Sequence, residues 1–167
     1  MANFHPAEKL IAVSDKNGHT IAVLKNILTL CGRSSYHVAP AGGQLPPGVQ
    51  PAVLLLCDAV KVGDAGQFSV CVAGYEFAAL PELSAFHPLT YSVKSDSADF
   101  TARNIRQTQD GFTAFEIVGV GVIGRVKLAV RTPDSIETVL AAAAAAIACG
   151  IPFAEVLEAV NNMQIED

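Results

Sequence analysis

The sequence predicts an α/β domain with a mostly parallel sheet, flanking helices and a small antiparallel extension. Two continuous hydrophobic runs, LIAVS (10–14) and AVLLLCDAV (52–60), are typical of strands that are covered on both faces of a parallel sheet. A helical pattern lies between them, and the Asp-Gly pair of QDG (109–111) marks a turn between antiparallel strands. With 51% hydrophobic and 16% charged residues, the 167 residues are expected to form one domain over 1–167.

The first half of the chain predicts a strand, a helix and two further strands. The helix is expected from about Gly18 to Cys31, where apolar residues recur at helical spacing and Gly32 ends the pattern. A short strand is expected at YHV (36–38), and the Gly/Pro-rich segment APAGGQLPPGVQP (39–51) is expected to be a surface loop before the second long strand.

The middle of the chain repeats this alternation less regularly. We expect a strand at FSVCVAGY (68–75), a short helix at ALPELSAF (79–86) and another strand at PLTYSV (88–93). The stretch 100–130 then shows two or three runs joined at QDG, which predicts antiparallel strands. Ile117 and Val126 are expected in strands near that antiparallel edge.

Two helices are expected at the end of the sequence. Asp134 or Ser135 is a candidate cap for the first helix, and Gly150 is expected to end it. Pro152 opens the second helix, whose apolar face is formed by Phe153, Val156, Leu157 and Val160. The alanine run 141–146 indicates either a helix pressed closely onto the sheet or a surface for self-association, and the sequence leaves both readings open.

Composition and charge exclude several functions. The net charge is -5 and the Lys and Arg residues form no stripe, so nucleic acid is not expected as a partner. The apolar run 139–151 is too short and too rich in alanine to span a bilayer, and no membrane partner is expected. Four scattered cysteines are expected to be reduced and buried in a cytoplasmic protein. His5, His37 and His87 lack the spacing of metal ligands, so no metal site is expected.

Two regions carry a family resemblance. The segment IAVSDKNGHT (11–20) resembles the phosphate-loop consensus I-A-V-T-G-T-N-G-K-T of the Mur ligases, the peptidoglycan amino-acid-adding enzymes, with Asn17, Gly18 and Thr20 retained. The stretch 89–160 is similar to the same family's tyrosine-containing strand, hairpin, alanine-rich helix and Gly-Ile turn. The resemblance implies the fold of the family's central, ATP-binding domain.

The departures from the family pattern affect the chemistry. A working phosphate loop needs glycines for close approach of backbone N–H groups, a lysine for the phosphates and a hydroxyl for Mg²⁺. Here Asp15 replaces the first loop glycine and His19 replaces the lysine. The segment that would hold adenine falls on TPDSIET (132–138), where Pro133, Asp134, Ser135 and Thr138 do not match. Asp58, Lys61 and Asp64 are the only nearby candidates for the family's Mg²⁺ ligands and modified lysine, and they are weak ones.

The sequence therefore leaves several functions open. The favoured one is a degenerate Mur-ligase-like domain without ligase activity, binding no cofactor and acting as a binding or assembly module. An alternative is an ATP-dependent ligase component with weak nucleotide and Mg²⁺ binding, which a partner protein completes. A third is a small-molecule-binding α/β domain that uses the crevice at the carboxyl ends of its strands.

The candidate site residues are Asn17, Gly18, His19 and Thr20, a degenerate phosphate loop with no catalytic residue. The simplest reading of the same residues is a polar turn in which Asp15 or Thr20 caps the following helix. Because the family's other two domains would cover surface that this sequence leaves open, a homodimer is expected.

Overall fold

The computed structural model describes residues 8–16, 18–42, 47–58, 65–83, 86–129 and 133–163. Eight strands and three helices are assigned within these ranges. The strands are β1 (Lys9–Ser14), β2 (Tyr36–Pro40), β3 (Gln50–Leu56), β4 (Val70–Gly74), β5 (Leu89–Ser92), β6 (Phe100–Gln107), β7 (Thr113–Gly119) and β8 (Val122–Leu128). The helices are α1 (His19–Leu30), α2 (Pro133–Ala148) and α3 (Phe153–Asn162).

All eight strands form one sheet in the order β2-β1-β3-β4-β5-β6-β7-β8. Every neighbouring pair from β2 to β6 is parallel, while the pairs β6–β7 and β7–β8 are antiparallel. The predicted fold class is confirmed. Ile117 lies in β7 and Val126 in β8, as the sequence predicted for the antiparallel edge.

The two faces of the sheet are covered differently. Alternate residues of β1 such as Ile11 and Val13 pack with the three helices in one core cluster. Leu10 and Ala12 point the other way and pack with Phe68 and residues of the connecting segments. Burial on both faces explains why the strands read as continuous hydrophobic runs in the sequence.

Helix α2 lies at the centre of the helical layer. Each alanine of the run 141–146 is at most 1% exposed within the chain itself. This confirms the reading of a helix pressed against its neighbours and leaves no alanine face for self-association. The backbone beyond α2 turns at Gly150, where φ is 93° and the N–H of Ile151 returns to the carbonyl of Ala146 at 3.4 Å.

Helix α3 closes the β8 edge of the sheet. Leu157 and Phe153 contact Gly124 so closely that an added Cβ would lie 2.5 Å from the Leu157 Cδ2 atom. The Asn161 side chain accepts the Lys127 N–H at 2.9 Å and donates to the Arg125 carbonyl at 3.0 Å. A side-chain amide thus satisfies backbone groups of β8 that would otherwise lie open at the edge.

Several sequence predictions were wrong in detail. The strand expected over 52–60 ends at Leu56, and residues 59–60 lie outside the described residues. The short helix expected over 79–86 is only a 3₁₀ turn at Pro81–Leu83, since the N–H of Leu83 bonds the carbonyl of Leu80 at 2.9 Å in an i to i+3 pattern.

The predicted start of α2 and the burial of the cysteines also need correction. Helix α2 begins at Pro133, so Asp134 and Ser135 lie inside its first turn and do not precede it as caps; proline suits the first helical position.

All four cysteines are free thiols, but only Cys71 is fully buried, and the other three are partly exposed. Across the described ranges, no helix has the length and hydropathy needed to cross a bilayer.

Candidate functional site at the β1–α1 junction

The junction between β1 and α1 contains the residues that resemble a phosphate loop. Strand β1 ends at the buried Ser14, and α1 begins at His19 after Gly18. Gly18 adopts a φ of 69°, a left-handed conformation that glycine enters without strain. Its N–H donates to the Asp15 carbonyl at 3.3 Å, while Asn17 lies outside the described residues. The chain therefore makes a tight turn that brings Asp15 to the start of α1.

The Asp15 carboxylate binds the amino end of α1. The Thr20 N–H donates to Asp15 Oδ2 at 3.0 Å. Thr20 is the second residue of the helix, so its N–H is one of the amides that have no partner inside the helix. A carboxylate at this point is favoured by the hydrogen bond and by the helix macrodipole. Asp15 thus supplies the capping acceptor, although Gly18 occupies the N-cap position.

The Thr20 side chain does not cap α1, although the sequence left it as a candidate cap. It is 2% exposed, and its Oγ1 accepts a hydrogen bond from the Cys57 Sγ at 3.7 Å. The hydroxyl is therefore held inside the protein and does not cap the helix. His19, by contrast, is exposed at the first position of α1.

The carboxyl ends of β1 and β3 are joined beside this turn. The Ser14 hydroxyl donates to Asp58 Oδ1 at 2.5 Å, and the Cys57 N–H donates to the Ser14 carbonyl at 2.9 Å. Asp58, a candidate Mg²⁺ ligand in the sequence, is thus engaged by Ser14. Lys61 and Asp64, the other candidates, lie outside the described residues.

The partly buried Cys57 and the buried Tyr91 form a polar floor under the junction, which sequence reasoning missed. Burial raises the pKa of the Cys57 thiol to about 11, and the nearby Asp15 and Asp58 carboxylates add to that rise. Burial also raises the pKa of Tyr91, whose hydroxyl donates to the Leu56 carbonyl at 3.4 Å. Both groups stay protonated at neutral pH, so neither supplies an anionic nucleophile.

No sequence pattern placed these two side chains together. Cys57 directly follows the buried run of β3, and Tyr91 lies in β5, which is two strands away in the sheet. The first turns of α2 reach the same region, because the Glu137 charge contributes to the raised pKa of Tyr91. Ser135 and Thr138, at the position where the resemblance places an adenine-binding segment, lie on those turns.

Comparison with known proteins finds solved structures of the same fold. The solved structure of UDP-N-acetylmuramoylalanyl-D-glutamyl-2,6-diaminopimelate–D-alanyl-D-alanyl ligase from Acinetobacter baumannii matches with a TM-score of 0.74 and 16% identity, covering 95% of this chain and 47% of that one. UDP-N-acetylmuramate-alanine ligase from Thermotoga maritima matches with a TM-score of 0.64 and 16% identity, covering 93% of this chain and 45% of that one.

A known enzyme sequence matches this chain with higher identity over a shorter stretch. UDP-N-acetylmuramoyl-L-alanyl-D-glutamate–2,6-diaminopimelate ligase from Bacillus licheniformis is 34% identical over 83 residues, which is 50% of this chain and 17% of that enzyme. This chain is a relative of the Mur ligases. No family model matches it. The Mur ligase relative has the fold of the central domain of these enzymes, and it spans about half the length of the solved ligases it matches.

In this Mur ligase relative, three of the four candidate site residues belong to the part of the chain that the structure describes, and they are adjacent. Gly18, His19 and Thr20 form the N-cap and first two positions of α1. The residue that contacts the helix amide is Asp15, which the resemblance identified only as a departure from the pattern. The sequence thus predicted the position of the turn and offered Asp15 or Thr20 as the capping residue. In the structure the capping residue is Asp15.

Proposed function

We propose that this chain is a degenerate Mur-ligase-like domain that does not bind ATP at the β1–α1 junction and acts as a binding or assembly module. The observation that carries the proposal is the hydrogen bond from the Thr20 N–H to the Asp15 carboxylate at 3.0 Å. Free amides at a helix N-terminus are the groups that hold phosphate in nucleotide sites. In this chain an internal anion occupies one of them.

The electrostatic cost of a phosphate at this point is large. Two unit charges of the same sign about 4 Å apart repel by about 4 kcal/mol at an effective dielectric constant near 20. The missing lysine removes a charge-assisted hydrogen bond, a further loss of roughly 1.5–3 kcal/mol. A loss of even 3 kcal/mol lowers affinity by a little over a hundredfold. Asp15 and His19 together therefore argue against a nucleotide phosphate in this turn.

The surroundings of the turn support the same proposal. The Ser14 hydroxyl donates to Oδ1 of Asp58, and the Cys57 thiol donates to the Thr20 hydroxyl, so these atoms have partners inside the protein. The protonated Cys57 and Tyr91 beneath them offer no charge to a Mg²⁺ ion or to a reacting carboxylate. The described residues of the junction do not fit ATP with its metal, and we assign no ligase step to them.

Isothermal titration with ATP and excess Mg²⁺ tests the proposal. We expect no binding tighter than about millimolar for the parent chain. His19→Lys alone should not restore it, because Asp15 still holds the helix amide. Asp15→Gly combined with His19→Lys should bind pyrophosphate before it binds ATP, since the adenine and Mg²⁺ contacts remain absent.

Other outcomes of the titration select the alternatives. Micromolar ATP binding by the parent chain would overturn the proposal and favour a ligase component that a partner completes. Binding of a UDP-linked muramyl precursor without ATP would instead favour a small-molecule-binding domain. Unchanged pyrophosphate binding in the double variant would show that Asp15 does not govern the site.

For the assembly role we propose a homodimer. Val120, Val122 and Ile123 are 81%, 37% and 63% exposed and lie together at the β7–β8 hairpin. Clustered exposed apolar side chains commonly form interfaces, and a two-fold dimer would bring the two hairpins together. Sedimentation over a range of concentrations tests this. A clean monomer at high micromolar concentration would contradict it.

A further inference from the structure

The two edges of the sheet differ in whether side chains bind their outward-facing backbone groups. At one edge, Asn161 of α3 binds the Lys127 N–H and the Arg125 carbonyl of β8. At the other edge lies β2, and among the described residues no strand and no comparable side chain covers its outer side. An open strand edge is a ready template for pairing with another chain.

The pairing of β2 with β1 identifies which of its backbone groups face outward. The Lys9 N–H donates to the Ser35 carbonyl, and the Ala41 N–H donates to the Val13 carbonyl. Because successive residues of a strand direct their backbone groups to opposite edges, Val38 directs its N–H and carbonyl away from β1. The carbonyls of Tyr36 and Pro40 lie on the same outer side.

A groove runs along this open edge. It has a volume of about 580 Å³ and lies between the carboxyl-terminal half of α1 and β2. Its floor is apolar, with Leu28 and Val38 both buried in the core. In β-augmentation an extended peptide adds a strand to an exposed sheet edge, and neighbouring pockets receive its alternate side chains.

The charges along the groove favour an acidic occupant. Lys25, Arg33 and His37 line it, and none of its lining residues is acidic, although the whole chain carries a net charge of -5. Arg33 pairs with Glu155 at 3.3 Å and His37 with Glu8 at 3.1 Å, each pair with partly exposed side chains. Such surface pairs contribute little to stability, so Arg33 remains able to bind another carboxylate.

We propose that this groove binds an extended acidic segment of another protein, which pairs with β2 as an added strand. Backbone groups of Val38 and Tyr36 supply the strand pairing, the apolar floor receives alternate side chains of the segment, and Lys25 and Arg33 contact its carboxylates. Pro40 has no N–H, so the pairing is short and the affinity modest.

This inference names a partner class for the binding module proposed above and rests on that proposal. The groove lies at the carboxyl end of α1, whereas the junction lies at its amino end. A peptide titration and an ATP titration therefore report on separate residues, and either result can fail without the other.

The test is a titration of the ¹⁵N-labelled chain with acetyl-(Glu-Val)₄-amide, with acetyl-(Lys-Val)₄-amide as the control peptide. We expect the acidic peptide to shift the amide signals of 36–38 and of the end of α1, with a dissociation constant of roughly hundreds of micromolar at low salt. The basic peptide should not shift them. Nonspecific attraction to a chain of net charge -5 would favour the basic peptide instead.

Matched variants test the cationic contacts. Lys25→Glu should weaken binding of the acidic peptide by about tenfold or more, and Arg33→Gln by a smaller factor. Lys94→Glu makes the same charge change at an exposed residue outside the groove and should leave binding unchanged.

Four outcomes would overturn the proposal. The first is no shift of the β2 signals at about 2 mM acidic peptide, and the second is equal weakening by Lys25→Glu and Lys94→Glu. The third is the same pattern of shifts with inorganic phosphate alone, which would indicate a small-anion site. The fourth is the same pattern on concentrating the protein without peptide, which would assign the edge to a second copy of this chain.

Discussion

Removing the Asp15 carboxylate should destabilise α1 and at the same time create an anion site. Loss of a capping acceptor costs about 0.5–2 kcal/mol, and loss of a favourable charge at the helix N-terminus costs about 0.3–1 kcal/mol. Asp15→Ala removes both contributions, whereas Asp15→Asn keeps an acceptor for the Thr20 N–H and removes the charge alone. We expect Asp15→Ala to be the less stable variant, by about 1 kcal/mol.

The assay is thermal unfolding with and without phosphate. For a chain of this size, 1 kcal/mol shifts the melting temperature by about 2–4 °C. A ligand at ten times its dissociation constant stabilises the folded state by about 1.4 kcal/mol. Addition of 50 mM phosphate should therefore recover most of the loss in Asp15→Ala if its dissociation constant is about 5 mM. The parent chain should gain nothing beyond the general effect of the salt, which a sodium chloride series at equal ionic strength measures.

Asp96→Asn is the matched control for this series. Asp96 is an exposed carboxylate whose ion pair with Arg103, at 3.4 Å, lies far from the junction in the sheet. The control should change stability by no more than about 1 kcal/mol and show no response to phosphate. Equal stability of Asp15→Ala and the parent chain, or equal phosphate stabilisation of both, would refute the role assigned to Asp15.

Three further predictions concern packing, pH and association. Gly124→Ala should lower the free energy of unfolding by about 1–3 kcal/mol in urea, because its Cβ would lie 2.5 Å from a Leu157 methyl group. Gly66→Ala, where an added Cβ meets nothing within 4 Å, should change it by less than about 0.5 kcal/mol, and equal losses would refute the contact. Because burial raises the pKa of Cys57 to about 11 from its ordinary value of 9.0, its contribution to stability is complete below pH 9 and is lost as pH rises from 9 to 11. Cys57→Ala should flatten the stability curve in that window by up to about 1.4 kcal/mol per pH unit, and an unchanged slope would contradict the buried thiol. Ile123→Asp should raise the dissociation constant of the proposed dimer at least about tenfold in sedimentation, and an unaltered dimer would move the interface elsewhere.

How far the sequence could predict the fold depended on the length of each pattern. Strand β1 and helix α1 were predicted to within about one residue at each end, because a buried run and a helical repeat each extend over the whole element. In the segment 79–86 the large apolar residues Leu80, Leu83 and Phe86 are spaced by three, which fits successive 3₁₀ turns as well as a helix. Short patterns of this kind do not distinguish the two.

The candidate site was less predictable because its decisive contacts are between groups distant in sequence. The sequence narrowed the capping residue to Asp15 or Thr20, and the hydrogen bond from Cys57 to the buried Thr20 hydroxyl joins residues 37 positions apart. The approach of Tyr91 to Cys57 depends on the order of β3, β4 and β5 in the sheet. No local pattern contains that order.

The alanine run of α2 shows why the fold does not depend on the residues of the β1–α1 turn. Alanine loses no side-chain rotamers on burial and has the highest intrinsic helix propensity, so this central helix is stabilised at almost no entropic cost from its side chains. Its methyl groups, each at most 1% exposed, contact neighbouring elements whatever residue stands at position 15 or 19. Substitutions in the turn therefore affect the helix start locally while the centre of the domain keeps its packing. Such a core lets a binding site change its chemistry without a loss of the architecture around it.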